Sequence, residues 1–438
     1  MFTLEKTAQL AIELLKKYQV SDYEIALESS SGVSTSVRLG KVETLQYHLD
    51  QNFEINVYFG KKKGHASSVD VSKSSLDKTI ESACLIAKYT QDDPFNGLAP
   101  KELMAFDAPD LDLYHPWDLD AQHSIDIAIA CEEAALAQDE INNSEGAEVS
   151  SFQGESLYAN SNGLIATQNA TSHSLSCSLI AQRGDDMQTA YEYTTALDAN
   201  ELEASQKVGK KAAKLAQQKL GARSIPSQKC PVIFTSRLSG GLFSQLLGAL
   251  GGSRQYKKST FLLNSVDTIV LPEDISLREH PFAKKTLGAK AIDRDGVLKR
   301  AQYFVENGRV KSFVMGQYSA NQLGLKTTAN AGGVSNVIVE SNFDGGLDEM
   351  IKTMDKGLVV TELMGQGVNG TTGNYSRGAL GFWVENGEIQ YPVSGLTIAG
   401  NLKDMLLGIV SVGNDVDYRS NIKVGSVLIE QMTIAGET

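Results

Sequence analysis

The sequence is short of the residues that most often announce chemistry. Among 438 residues there are six histidines, four cysteines, nine prolines and two tryptophans. The cysteines, Cys84, Cys131, Cys177 and Cys230, lie 47, 46 and 53 residues apart, so no CxxC exists and local zinc-ribbon or thioredoxin-type sites are excluded. Four dispersed thiols in a long chain read as reduced and mostly buried. The histidines form no HExxH, HExxxH or HxH; the closest pair, His115 and His123, is eight residues apart. A helical zinc site needs its imidazoles about one turn apart, so this pair does not supply one. There is no GxSxG elbow and no GxxxxGK[ST] phosphate loop. No run of about 18 apolar residues occurs, which excludes a spanning helix and a membrane partner of that kind. The opening Met1-Phe2-Thr3-Leu4-Glu5-Lys6 has neither an apolar h-region nor a small-residue cleavage site, so no signal peptide is expected and the cytoplasm is the expected location. Proline at nine against 39 glycines rules out collagen-like and proline-rich disordered classes.

What is present is an ordinary globular composition, 42% hydrophobic and 21% charged, long enough for two or three domains. The formal charge is −13, so the average field repels phosphate backbones and no nucleic-acid partner is expected.

Periodicity divides the chain. Leu4, Ala8, Ala11, Ile12 and Leu15 mark one face of a helix. Strand-like pieces follow at Tyr23–Leu27, Ser34–Leu39, Phe53–Tyr58 and His65–Val69, with a turn at Leu39-Gly40-Lys41-Val42. Helical spacing returns over Ser72–Tyr89, where Ser75 and Lys78 match SxxK by chance on a solvated helix. Residues 91–118 hold four of the nine prolines and read as a surface strap. A helix is expected over Leu119–Gln138, alternating strands to about Thr195 broken by Asn162-Gly163, and a helix over Glu201–Leu220 stopped by Gly221. The best boundary is Arg223–Gln228. The expected fold is α+β: an N-terminal mixed sheet-and-helix domain, 1–222, followed by a β-rich C-terminal domain, 223–438. In the second domain Pro231–Thr235 reads as a strand and Leu238–Leu250 as a glycine-laden helix. Val305-Glu306-Asn307-Gly308-Arg309-Val310 and Val384-Glu385-Asn386-Gly387-Glu388-Ile389 read as two independent hairpins rather than a repeat.

Two motifs invite chemistry. Asp293-Arg294-Asp295-Gly296 opens like a calcium loop but lacks the remaining ligands, and reads as a turn. Gly365-Gln366-Gly367-Val368-Asn369-Gly370 fits GxGxxG after an apolar strand, yet a turn- and strand-like stretch follows where a pyrophosphate site needs a helix N-terminus. The run 365–378, rich in glycine and hydrogen-bonding side chains, is either a flexible loop or a place where another backbone approaches closely.

The block Gly367-Val368-Asn369-Gly370-Thr371-Thr372-Gly373-Asn374-Tyr375-Ser376-Arg377-Gly378-Ala379, continuing through Gly381-Phe382-Trp383-Val384-Glu385-Asn386-Gly387-Glu388-Ile389, Pro392-Val393 and Thr397-Ile398-Ala399-Gly400-Asn401-Leu402, resembles the TldD/PmbA family, sometimes labelled modulators of DNA gyrase. A second matching block runs from Ser239 to Ala249, and the resemblance spans essentially the whole chain, nearest to the PmbA (TldE) branch. It implies a cytoplasmic metalloprotease of two related, unequal subunits. In the TldD branch a helix carries HExxxH, whose zinc polarises the peptide carbonyl and activates water. The resemblance places Ser244 at the first His, Gln245 at the Glu and Ala249 at the second His. It therefore implies no catalytic residue, metal or cofactor in this chain, with zinc in a TldD-like HExxxH partner and unfolded or extended peptides as substrates. Asn369, Thr371, Thr372, Tyr375, Ser376 and Arg377 become the candidates for a cavity- or partner-facing surface. A homodimer is expected of the isolated chain. Two other functions stay open: a stand-alone metallopeptidase with a metal site built from distant residues, and a scaffold or binding protein without proteolysis.

Overall fold

The computed structural model describes residues 3–436; Met1 and Phe2, on which part of the leader reading falls, lie outside them. The chain order is α1 (Leu4–Leu15), β1 (Asp22–Arg38), β2 (Lys41–Phe59), β3 (Lys62–Ser68), α2 (Lys73–Tyr89), α3 (Ala121–Leu136), β4 (Ile141–Asn160), β5 (Ile165–Arg183), β6 (Asp186–Ala196), α4 (Ser205–Gln217), β7 (Gln228–Phe234), α5 (Ser236–Ala249), α6 (Gly252–Tyr256), β8 (Leu277–Glu279), β9 (Gln302–Glu306), β10 (Arg309–Val310), α7 (Gln317–Leu323), β11 (Val337–Val339), α8 (Leu347–Met354), β12 (Gly357–Met364), β13 (Asn374–Glu385), β14 (Glu388–Asn401), α9 (Leu402–Leu407), β15 (Ile409–Val412), β16 (Ile422–Lys423) and β17 (Val427–Ala435). The fold is α+β, as the sequence implied.

The N-terminal half is one antiparallel sheet in the order β3-β2-β1-β4-β5-β6. The order helix, three strands, helix occurs twice, as α1-β1-β2-β3-α2 and α3-β4-β5-β6-α4. The first strands of the two units pair at the centre, Glu24 opposite Asn160 through Val37 opposite Ala147. The four helices cover one face. Leu76, Ile80 and Ala83 of α2 pack on Ile25, Leu27, Phe53 and Ile55; Val208, Ala212 and Ala216 of α4 pack on Leu175, Cys177 and Leu179. Contact between α3 and α4 is so close that a Cβ on Gly209 would overlap the Cys131 carbonyl oxygen, which accounts for glycine inside that helix.

In the C-terminal half β14-β13-β12-β7-β17 close on themselves through a β14–β17 pairing, with β15 attached to β17. A second sheet, β10-β9-β8-β11-β16, lies beside it, and one large core joins both around α5. The two Asn-Gly hairpins form as expected: Asn307-Gly308 and Asn386-Gly387 all have positive φ, the requirement of a tight two-residue turn.

Residues 90–120 do form a strap, and it stitches the halves together. Ala105 donates to the Gly296 carbonyl (3.0 Å), Leu298 to Leu103 (3.0 Å) and Lys285 to Leu111 (2.8 Å). The Asp293–Gly296 turn wedges here against the sheet, and Gly296 (φ 74°) sits so close to Tyr158 that any side chain would collide with its ring. Behind it Glu24 accepts from Tyr58 (2.7 Å) and Tyr158 (3.0 Å). Asp295 accepts from the Gln317 amide (2.7 Å). Burial first, then the neighbouring Asp293 and Glu24 carboxylates, push the Asp295 carboxyl up to about 7, against the pull of the Gln317 amide and Lys63. The folded chain therefore holds a proton there that the unfolded chain has released. That contribution is complete below about pH 4, declines as pH rises to about 7 and is absent above it. Asp295→Asn keeps the acceptor and removes the charge, so urea unfolding at pH 8 should show a more stable variant whose lead shrinks towards pH 4. An equal effect at both pH values would contradict this.

Candidate functional site

The site begins where β7 runs into α5. The strand is a short buried apolar run, Val232-Ile233-Phe234, paired on both sides by β12 and β17. The helix that follows buries Leu242, Phe243, Leu246 and Leu247, two adjacent pairs one turn apart, as an amphipathic helix requires. Its end is fastened: the Ala249 carbonyl accepts from Gln255 Nε2 (3.0 Å) and Thr260 Oγ1 (2.7 Å), satisfying an acceptor that the last turn leaves open.

Along this helix Ser244 is exposed, Gln245 half-buried and Ala249 fully buried. Zinc takes thiolate, imidazole or carboxylate ligands, and here a hydroxyl, an amide and a methyl group stand instead. The donor set fails the ion. Among the described residues no group of three or more His, Cys, Asp or Glu side chains is arranged to hold a metal. Four of the six histidines are engaged elsewhere: His48 with Ser34 (2.9 Å), His65 with Asn56 (3.1 Å), His115 with the Asp112 carbonyl (3.0 Å), and His173 with Ser151 (2.9 Å) and the His115 carbonyl (2.9 Å).

The GxGxxG segment is followed by no helix; it turns at 369–373 and enters β13. Asn369 organises the turn. Its Oδ1 accepts from the amides of Thr371 (2.9 Å) and Thr372 (3.0 Å), and its carbonyl from Gly373 (2.8 Å). Close backbone approach is the reason for Gly367, where a Cβ would run into the Ser376 carbonyl oxygen; Ser376 donates back to Gly367 (2.7 Å). Asn369, Thr371, Thr372 and Ser376 are exposed. Tyr375 is not: alternation along β13 turns it into the core, 4% exposed, where burial raises its phenol. Arg377 is half-buried, with a buried Nε that has no partner among the described residues and one long bond to the Leu363 carbonyl (3.5 Å). The six candidates thus divide, and only part of the set can face a cavity or partner.

Sequence reasoning missed a cleft of ≈ 910 Å³ between the halves, bounded by β6 and α4 on one side and by α5, α8 and β12–β14 on the other. Three successive outward carbonyls on the free edge of β6 receive cations: Thr189 from Lys219, Tyr191 from Arg237 (3.3 Å) and Tyr193 from Arg419 (2.9 Å). Arg237 lies over the rings of Tyr191 (4.2 Å) and Tyr193 (5.4 Å). Arg419 bonds Asp417 (2.9 Å) and Glu192 (2.6 Å), holding the Asp417 carboxyl below its ordinary value despite burial. Lys219 pairs with Glu362 across the cleft. The cations blunt a sheet edge that would otherwise be open. The only sequence signal was the alternation of Tyr191, Glu192 and Tyr193 in a strand.

Three family models match the chain in succession: PmbA/TldA metallopeptidase domain 1 over residues 23–87, the central domain over 114–220 and the C-terminal domain over 227–436. The chain is 44% identical over 437 residues to the metalloprotease PmbA of Escherichia coli O157:H7, covering 99% of this chain and 96% of that one. It superposes on the crystal structure of a candidate modulator of DNA gyrase from Bacteroides thetaiotaomicron with a TM-score of 0.93 and 27% identity, covering 99% of each. TldE from Thermococcus kodakarensis shares the fold, with a TM-score of 0.83 and 23% identity over 98% of this chain and 100% of that one.

Proposed function

The chain belongs to the PmbA/TldD metallopeptidase family, and on that premise we propose that it is the PmbA/TldE-type subunit of a two-chain cytoplasmic peptidase whose zinc resides in a TldD-like partner. What supports this reading is α5, where the positions that the resemblance gives to the family's metal motif hold Ser244, Gln245 and Ala249, none of them a zinc ligand of the usual kind. A chain so built encloses and restricts the site rather than performing the hydrolysis. The uncovered face of the N-terminal sheet suits that task. Glu28, Ser30, Asn52, Gly154, Ser156 and Ala170 line a shallow trough of ≈ 280 Å³ there, opposite the helices. A shallow trough admits an extended chain, and a closed chamber keeps folded proteins out. The gyrase label fits an indirect effect of proteolysis, since a charge of −13 does not suit DNA. Among the described residues no helix is long and apolar enough to cross a membrane.

The test mixes this chain with an HExxxH-bearing relative and follows cleavage of an unstructured peptide. Cleavage should require both chains and leave a folded protein intact. Cleavage by this chain alone, with stoichiometric zinc, would establish a stand-alone peptidase instead. Failure of the two chains to co-purify would leave a scaffold.

A further inference from the structure

Strand β2 carries an unsatisfied surface. Over residues 41–52 it pairs with β1 on one side, while β3 joins its other side only from Phe53 onward. The free stretch reads Leu45-Gln46-Tyr47-His48-Leu49-Asp50, a strict apolar/polar alternation of the kind that marks a strand with one buried face. Further along the same strand Ile55 and Val57 are 1% and 0% exposed, yet Leu45, Tyr47 and Leu49 are 39%, 72% and 76% exposed. They share the face that α3 covers on β1, since Thr35, opposite Leu45, is bonded to Ser124 of α3, but they lie beyond that helix. Leu39 and Val42, 54% and 44% exposed, extend the patch. An unpaired backbone edge beside an uncovered apolar face is what a chain that stays alone avoids.

We infer that this edge pairs antiparallel with the same edge of a second copy of the chain, β2 against β2, about a twofold axis at Tyr47. The pairing is isologous, so one patch must complement itself. A twofold axis normal to the sheet keeps the faces, and opposed residues must therefore share parity. With Tyr47 opposite its own copy, Leu45 meets Leu49 of the second chain and Leu49 meets Leu45. On the polar face Gln46 meets His48 and Thr44 meets Asp50, so no like charges are opposed. Moving the axis to Gln46 sets Glu43 against Leu49 and breaks the match. The inference rests on the assembly part of the proposed function and is independent of peptide cleavage.

Cysteine cross-linking reads the register. The four native cysteines are buried, which keeps the background low. Directly opposed Cβ atoms lie about 4.5–5.5 Å apart, within a small adjustment of disulfide distance. Two copies of position 45 would be separated by about 13 Å along the strand. Mild oxidation should therefore convert most of Tyr47→Cys to a covalent dimer, and leave Leu45→Cys and Leu49→Cys alone as single chains. A mixture of those two variants should cross-link. Sedimentation of the native chain should give twice 47.2 kDa, and the Tyr47→Asp/Leu49→Asp variant one chain with an unchanged far-ultraviolet circular dichroism spectrum. A native monomer, a dimer that survives both aspartates, or equal cross-linking at all three positions would overturn the inference. If the aspartates abolish only assembly with an HExxxH relative, the occupant is that relative; the second-copy inference then fails while the peptidase reading stands.

Discussion

Removing the Lys299 ammonium while Glu279 remains should cost the chain about 3–5 kcal/mol of stability, the largest loss expected of a single substitution here. The pair is sealed in the C-terminal core: the Lys299 and Glu279 side chains are 2% and 0% exposed and 3.0 Å apart. Every oxygen is engaged. Glu279 also accepts from Asn330 Nδ2 (3.0 Å), the Ser335 amide (2.7 Å) and Gln302 Nε2 (2.9 Å). Lys299 donates as well to the Ala329 carbonyl (2.9 Å). Four residues, Lys299, Gln302, Asn330 and Ser335, thus converge on one carboxylate, and Ala329 and Asn336 hold positive φ around it. Lys299→Met strands that carboxylate without its counter-charge. Lys299→Met/Glu279→Gln leaves no unpaired charge and should recover part of the loss, the new amide NH2 facing donors and the Ala329 carbonyl losing its ammonium. Urea unfolding measures both; a loss under about 1 kcal/mol for the single variant would show that the pair contributes little.

The second large effect is a failure to gain. Ser244→His/Gln245→Glu/Ala249→His restores every residue type of the family's motif, yet should bind no stoichiometric zinc and cleave no peptide. Position 244 faces solvent while position 249 is fully buried among Leu246, Leu250 and the carbonyl contacts of Gln255 and Thr260. An imidazole forced there overpacks the core, at about 1–3 kcal/mol or more, and is walled off from any ion held at the exposed position 244. Zinc bound by the refolded variant with tetrahedral N/O ligation would show that the helix can deform to bring the two positions together.

Much of the fold was legible because its signals are local. Asn-Gly at 307–308 and 386–387, and Leu39-Gly40, dictate turns by the φ they permit. Strand lengths were not legible. Tyr23–Leu27 and Ser34–Leu39 are parts of one 17-residue strand, because Ser29-Ser30-Ser31-Gly32, poor strand formers, are held by pairing with β2 on one side and β4 on the other. The helix expected from Glu201 starts at Ser205, after a short turn at Ala199–Glu201 capped by Asp198. The doubled helix–sheet–helix unit escaped notice because the halves share an order of elements and not a pattern of residues. The cleft escaped for a different reason: Lys219 meets Glu362 and Arg419 meets Glu192, partners 143 and 227 residues apart. Within the candidate site, composition left the run 365–378 as either a flexible loop or a close backbone approach, and the structure places such an approach at Gly367. Composition could not tell that Tyr375 turns inward, since that depends on the phase of β13.

Metal content, chain by chain, is the most direct probe of α5. The active mixture of this chain with an HExxxH relative is separated, and the zinc in each polypeptide is counted. The account predicts one ion per HExxxH chain and none retained by this one. A stoichiometric ion on this chain, lost when Ser244 or Gln245 is replaced by alanine, would contradict it.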